Sequence, residues 1–85
     1  MKITFSPVME WSMLRGSILL HANADGKSIR CVVPQEFLTA PYVEPLDDEN
    51  ARAIFHKRKS EIEACLEARI HEGSFDPNGE IILHP

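Results

Sequence analysis

An α+β domain is the fold this sequence predicts: an antiparallel sheet of three or four strands, one long amphipathic helix packed on one face, and a short helix after a hairpin. Three observations predict it. Two runs of alternating apolar residues flank Asn23-Ala24-Asp25-Gly26, an apolar stripe of helical period runs from Ala51 to Ile70, and another alternating run closes the chain.

The elements follow in order. Ile3 and Phe5 alternate with polar neighbours in a short strand, which Pro7 is expected to end because it cannot donate to a ladder. The stretch from Met9 to Leu14, with Trp11 inside it, fits neither period cleanly. Ile18, Leu20 and Ala22 then share one face of a strand, as Ile29, Cys31 and Val33 share one face of the next. Asn, Asp and Gly between these runs tolerate positive φ and mark a hairpin. Pro34 suits the first position of a short helix, where its missing N–H would have no partner anyway, and Pro41 and Pro45 close that segment.

From Asp47 to Glu72 the period becomes 3.6, with Ala51, Ile54, Phe55, Ile62, Cys65, Leu66 and Ile70 on one stripe. Asp47 is placed to cap free N–H groups, Asp48 and Glu49 face the positive end of the macrodipole, and Gly73 suits a left-handed stop. Unbroken, such a helix measures about 37 Å and would overhang the sheet of so small a domain, which favours a partner. Asp76-Pro77-Asn78-Gly79 reads as a type I turn delivering Glu80 to His84 as the last strand, with Ile81 and Leu83 on one face.

The 85 residues make one domain, 1–85, with a single core and a thin stability margin that self-association would relieve. Nine Lys plus Arg against 13 Asp plus Glu give a net charge of −4, which argues against nucleic-acid binding, as does the lack of surface aromatics interleaved with cations. No apolar run approaches the roughly 20 residues of a membrane span, and Met1 to Pro7 lacks the apolar centre of a signal peptide, so no membrane association and a cytoplasmic location are expected. Two cysteines, Cys31 and Cys65, form no disulfide framework; both fall on core faces and are expected to be inert free thiols.

Few residues offer chemistry. The histidines His21, His56, His71 and His84 lack metal-site spacing, no phosphate loop or nucleophile motif is present, and neither cofactor nor metal is expected. Arg58 falls on the apolar stripe between Phe55 and Ile62, where its guanidinium must be paired or reach solvent. A structural Arg58 that only covers the core edge would tolerate an apolar replacement. A functional Arg58 would form a small anion-binding or enzyme site with Glu36, at the strand-to-helix joint, or Cys31. Leu19, Val32 and Ile82 point away from the helix side, one on each strand, and are expected to form an apolar interface patch.

The segment Cys31-Val32-Val33-Pro34-Gln35-Glu36-Phe37-Leu38, the Phe55 to Ile62 stretch and the closing Gly79-Glu80-Ile81-Ile82-Leu83 resemble a family of short bacterial proteins known as domain of unknown function 1488. Cys31, Glu36, Leu38, Arg58 and Ile62 match its pattern; Pro34 stands where the family usually has Ser, so a hydroxyl cap common to the family is absent. The resemblance implies a small bacterial cytoplasmic α+β protein and assigns no reaction. Together these readings favour a non-enzymatic protein-interaction module, bound to a second copy of itself or to another protein through its outer sheet face or a free strand edge. The alternative is the site centred on Arg58.

Overall fold

The computed structural model describes residues 2–39 and 47–84; the expected closure by Pro41 and Pro45 lies outside the described residues. The described elements are β1 (Ile3–Ser12), β2 (Ser17–Ala24), β3 (Lys27–Pro34), α1 (Gln35–Thr39), α2 (Asp48–Lys57), α3 (Lys59–Glu72) and β4 (Ile81–Ile82). They build the expected α+β fold, a four-stranded sheet in the order β1-β2-β3-β4 with helices following the hairpin.

Pro7 does not end the first strand. β1 runs on to Ser12 because Pro7 sits in a bulge, where three residues, Ser6 to Val8, face the single residue His21 of β2. β1 is an edge strand, so a residue without an N–H breaks no central ladder there. Pairing then resumes in phase, with Met9 and Trp11 partly buried on the same side as Ile3 and Phe5.

The central hairpin is tighter than its four turn-forming residues suggest. Ala24 pairs with Lys27, leaving only Asp25 (φ 52°) and Gly26 (φ 86°) as the loop. Positive φ at both positions gives the turn that matches the twist of the flanking strands. Asn23 supports it from outside, its Oδ1 accepting from the Gly26 N–H at 3.1 Å.

The last strand is shorter than the expected Glu80 to His84, and it pairs parallel to β3, Cys31 with Ile81 and Val32 with Ile82. The sheet is therefore mixed rather than wholly antiparallel. Parallel neighbours need a crossover, and the helices between β3 and β4 provide it. The Asp76 turn forms as its residues require, with Gly79 N–H donating to the Asp76 carbonyl at 2.9 Å.

The long helix divides in two. Asp47 caps α2 as expected, its Oδ1 accepting from Asn50 N–H at 2.7 Å, and Gly73 (φ 72°) stops α3 in the left-handed conformation while Ser74 N–H returns to the Arg69 carbonyl at 3.0 Å. Between them Arg58 leaves helical geometry (φ −108°, ψ 17°), although its N–H still reaches the Ile54 carbonyl at 3.0 Å. The 10-residue and 14-residue pieces measure about 15 and 21 Å and replace the single unbroken rod of about 37 Å. Ala51 and Phe55 of α2 and Ile62, Leu66 and Ile70 of α3 join Ile18, Leu20, Ala22, Ile29, Cys31, Val33, Ile81 and Leu83 in one core. The bend thus preserves the stripe.

Candidate functional site

Strand alternation that sends Ile18, Leu20, Cys31 and Val33 into the core sends their neighbours to the opposite face. Register arranges that face in rows. One row reads Glu10, Leu19, Val32, Ile82 across all four strands; the next carries His21 opposite Arg30, and the next Thr4, Asn23 and Ser28. Glu80, one residue before the Ile81 that pairs with Cys31, comes abreast of Arg30.

Leu19, Val32 and Ile82 are therefore contiguous, as the interface reading requires. Their exposure differs from a flat open patch, since Val32 is 2% exposed and its two neighbours are partly buried. Ile3 and Phe5 pack against the core and do not extend the row.

Arg15, from the loop between β1 and β2, reaches over this face to Glu80. Its two terminal nitrogens donate to the two carboxylate oxygens at 3.1 and 3.0 Å, the paired geometry in which a planar guanidinium grips a carboxylate best. Arg30 adds a looser contact at 3.6 Å. The hydrogen bonds from Arg15, opposed by partial burial and aided by the charges of both arginines, hold the Glu80 carboxyl below the usual carboxylate range. Arg15, Arg30, Glu80, His21, Ser28, Asn78 and Gly79 line an open basin of about 570 Å³.

The bridge also fixes its loop. Ser12 Oγ accepts from Arg15 N–H at 3.2 Å, and Ser17 donates its hydroxyl to the Arg15 carbonyl at 3.0 Å. Held between these anchors, Met13 and Leu14 project into solvent, 88% and 100% exposed.

The residues singled out from sequence lie elsewhere. Arg58 bridges the helices to α1: its guanidinium donates to the carbonyls of Phe37 at 2.7 Å and Leu38 at 2.9 Å, lies over the Phe37 ring 5.2 Å from its centroid, and pairs with Glu61. Glu36 is not its partner; the side chain is exposed and forms no ion pair among the described residues, because helix spacing puts Glu61 within reach instead. Cys31 is 0% exposed, and burial pushes its thiol up to about 11, far from the thiolate a nucleophile needs. Cys65 is only partly buried, at the margin of the stripe. Arg58 is thus occupied, Cys31 is placed for packing and Glu36 lies apart from both, while Arg15, Arg30 and Glu80 form a charged constellation on the outer face.

Sequence reasoning missed that constellation because Arg15 and Glu80 stand 65 positions apart and Arg15 falls between the Met9–Leu14 stretch and the strand that begins at Ser17, on neither predicted element. A signal existed. Alternation puts Arg30 beside Val32 and Glu80 beside Ile82 on the outer face, so opposite charges meet once β4 is set next to β3.

These features define a class: a small mixed-sheet α+β domain with helices on one face and a charged, partly apolar opposite face. The chain belongs to the family described as a protein of unknown function, DUF1488, which it matches over residues 3–83. It is similar to the crystal structure of a DUF1488 protein of unknown function from Shewanella loihica PV-4, with 27% identity and a TM-score of 0.84, covering 95% of this chain and 90% of that one. No curated protein matches it. Among the described residues no helix is long and apolar enough to cross a membrane.

Proposed function

We propose that this chain is a non-enzymatic interaction module that docks a protein, a second copy of itself included, by the Met13-Leu14 loop and the adjoining outer sheet face. The observation that carries this reading is Leu14, 100% exposed beside Met13 at 88% on a loop held by two serine hydroxyls and a doubly bonded Arg15. Leaving such a side chain in water forgoes about 1.5–3 kcal/mol relative to burying it. A pinned loop adds little ordering cost when a partner covers it. The apolar row of Leu19, Val32 and Ile82 lies on the sheet behind it. A reducing cytoplasm suits the two free thiols.

Sedimentation of the purified protein at micromolar concentration, together with a photo-crosslinking residue at position 14 in cells, tests the reading. The expected result is a dimer, or a discrete crosslinked partner, that Met13→Ser with Leu14→Ser abolishes without lowering the melting temperature. A wild-type monomer that also yields no crosslinked species would overturn it.

A further inference from the structure

We propose that the outer-face basin around Arg30 binds the phosphate group of a small phosphomonoester. The proposal stands on how the two arginines are spent. Arg15 is committed, both terminal nitrogens on Glu80, and in turn Glu80 has each oxygen engaged by Arg15. Arg30 is only partly committed, ion-paired to Glu80 through one nitrogen. Its side chain is 52% exposed, and its one contact among the described residues is Glu80 Oε2 at 3.6 Å, beyond hydrogen-bond length. The ion pair with Glu80, made through one terminal nitrogen, and the pairing with His21 on β2 therefore place a guanidinium whose other N–H groups have no hydrogen bond among the described residues.

The surroundings favour a tetrahedral anion over a planar one. A carboxylate is satisfied by one guanidinium fork, as Arg15 satisfies Glu80. A phosphate has three terminal oxygens spread in space and needs donors from several directions. The basin supplies Arg30, the imidazole of His21, the Ser28 hydroxyl and the Asn78 amide around about 570 Å³, room for a phosphate and part of the molecule that carries it. Arg15 and Arg30 balance Glu80 and the neighbouring Asp76, so the basin is locally neutral in a protein whose net charge is −4. Asp76, the nearby carboxylate, faces its own turn and accepts from the N–H groups of Asn78 and Glu80 at 2.9 and 2.8 Å.

The test is an amide-resolved NMR titration of the full chain with inorganic phosphate, phenyl phosphate and acetate, each at matched ionic strength in sodium chloride. Both phosphates are expected to give saturable shifts centred on His21, Ser28, Arg30, Asn78 and Gly79, with phenyl phosphate tighter if the carrier group adds contacts. Acetate should bind about tenfold more weakly or not at all, the difference of roughly one good polar contact. Arg30→Gln should weaken phosphate binding about tenfold or more, whereas Lys27→Gln, the same loss of charge on the opposite, helix-side face of β3, should leave it within about twofold. Should Arg30→Gln fail to fold, Ser28→Ala with Asn78→Ala serves in its place, since both side chains are exposed. Shifts that never saturate up to about 20 mM phosphate, acetate binding as tightly as phosphate, or equal losses in Arg30→Gln and Lys27→Gln would each overturn the proposal, leaving diffuse electrostatics. The outcome is independent of the Met13-Leu14 contact, which this titration does not touch.

Discussion

Replacing Arg58 with Met exposes the difference between a residue that merely covers a core edge and one that closes a hydrogen-bonded joint. Read from sequence, a structural Arg58 is expected to tolerate the change with neutral or stabilising effect provided its partner is not stranded, because an apolar side chain replaces a charge on an apolar stripe. The structure reverses the sign. Arg58 donates to the carbonyls of Phe37 and Leu38, at the end of α1, and methionine leaves both without their donor. A hydrogen bond to a charged group contributes about 1.5–3 kcal/mol, and the lower end applies here because the Arg58 side chain is 30% exposed and water can reach the vacated oxygens. The two bonds then sum to about 3 kcal/mol. The contact over the Phe37 ring adds about 0.5–1 kcal/mol, the exposed Glu61 pair at most about 1, and the methionine stem keeps part of the packing. The net expectation is a loss of about 3.5–5 kcal/mol, or roughly 15–40 °C in melting temperature for a domain of this size. Urea unfolding followed by circular dichroism measures it directly. Arg58→Lys should fall between wild type and Arg58→Met, since an ammonium keeps the charge but not the planar fork. Glu61→Gln should cost under about 1 kcal/mol, which separates the ion pair from the carbonyl bonds. An Arg58→Met protein within about 0.5 kcal/mol of wild type would refute the reasoning and return Arg58 to a covering role.

The thiols should behave differently from each other. Cys31, fully buried and with its proton held up to about pH 11, should resist a thiol reagent until the domain unfolds, whereas half-covered Cys65 should label faster in the native state. Cys31→Ala should cost about 1–2 kcal/mol through the space it leaves. Glu80 makes stability depend on acid. Its carboxyl titrates lower in the folded chain, so in the window between the folded value and the unfolded value of about 4.3 the unfolded state binds more protons. Its contribution is present above about pH 4.3 and is lost as pH falls through the folded value; Glu80→Gln should therefore flatten the acid limb of stability measured against pH. Asp47→Ala should cost about 0.5–2 kcal/mol in the same unfolding assay by freeing the N–H of Asn50, with little effect if the first turn of α2 frays in wild type as well.

What the sequence determined by itself is what depends on neighbours along the chain. Alternation named the core residues of β2 and β3, the Asp47 and Gly73 signals set the outer ends of the helical run, and Asp76 to Gly79 made the turn before β4. Each rests on backbone geometry or side-chain direction over a few residues, so local chemistry suffices. Only the tertiary structure decided the rest. The bend at Arg58 falls where no Gly or Pro marks it and where the side chain is tied to α1 twenty residues upstream. Pro7 remains within a strand because β1 lies at an edge, a fact about sheet order and not about proline. The charged face required Arg15 and Glu80 to meet across 65 residues, and that followed from a parallel β4 delivered by the helical crossover. An ion pair has no period along a sequence; it is set by which strands become neighbours, and the burial of the whole core chooses those neighbours.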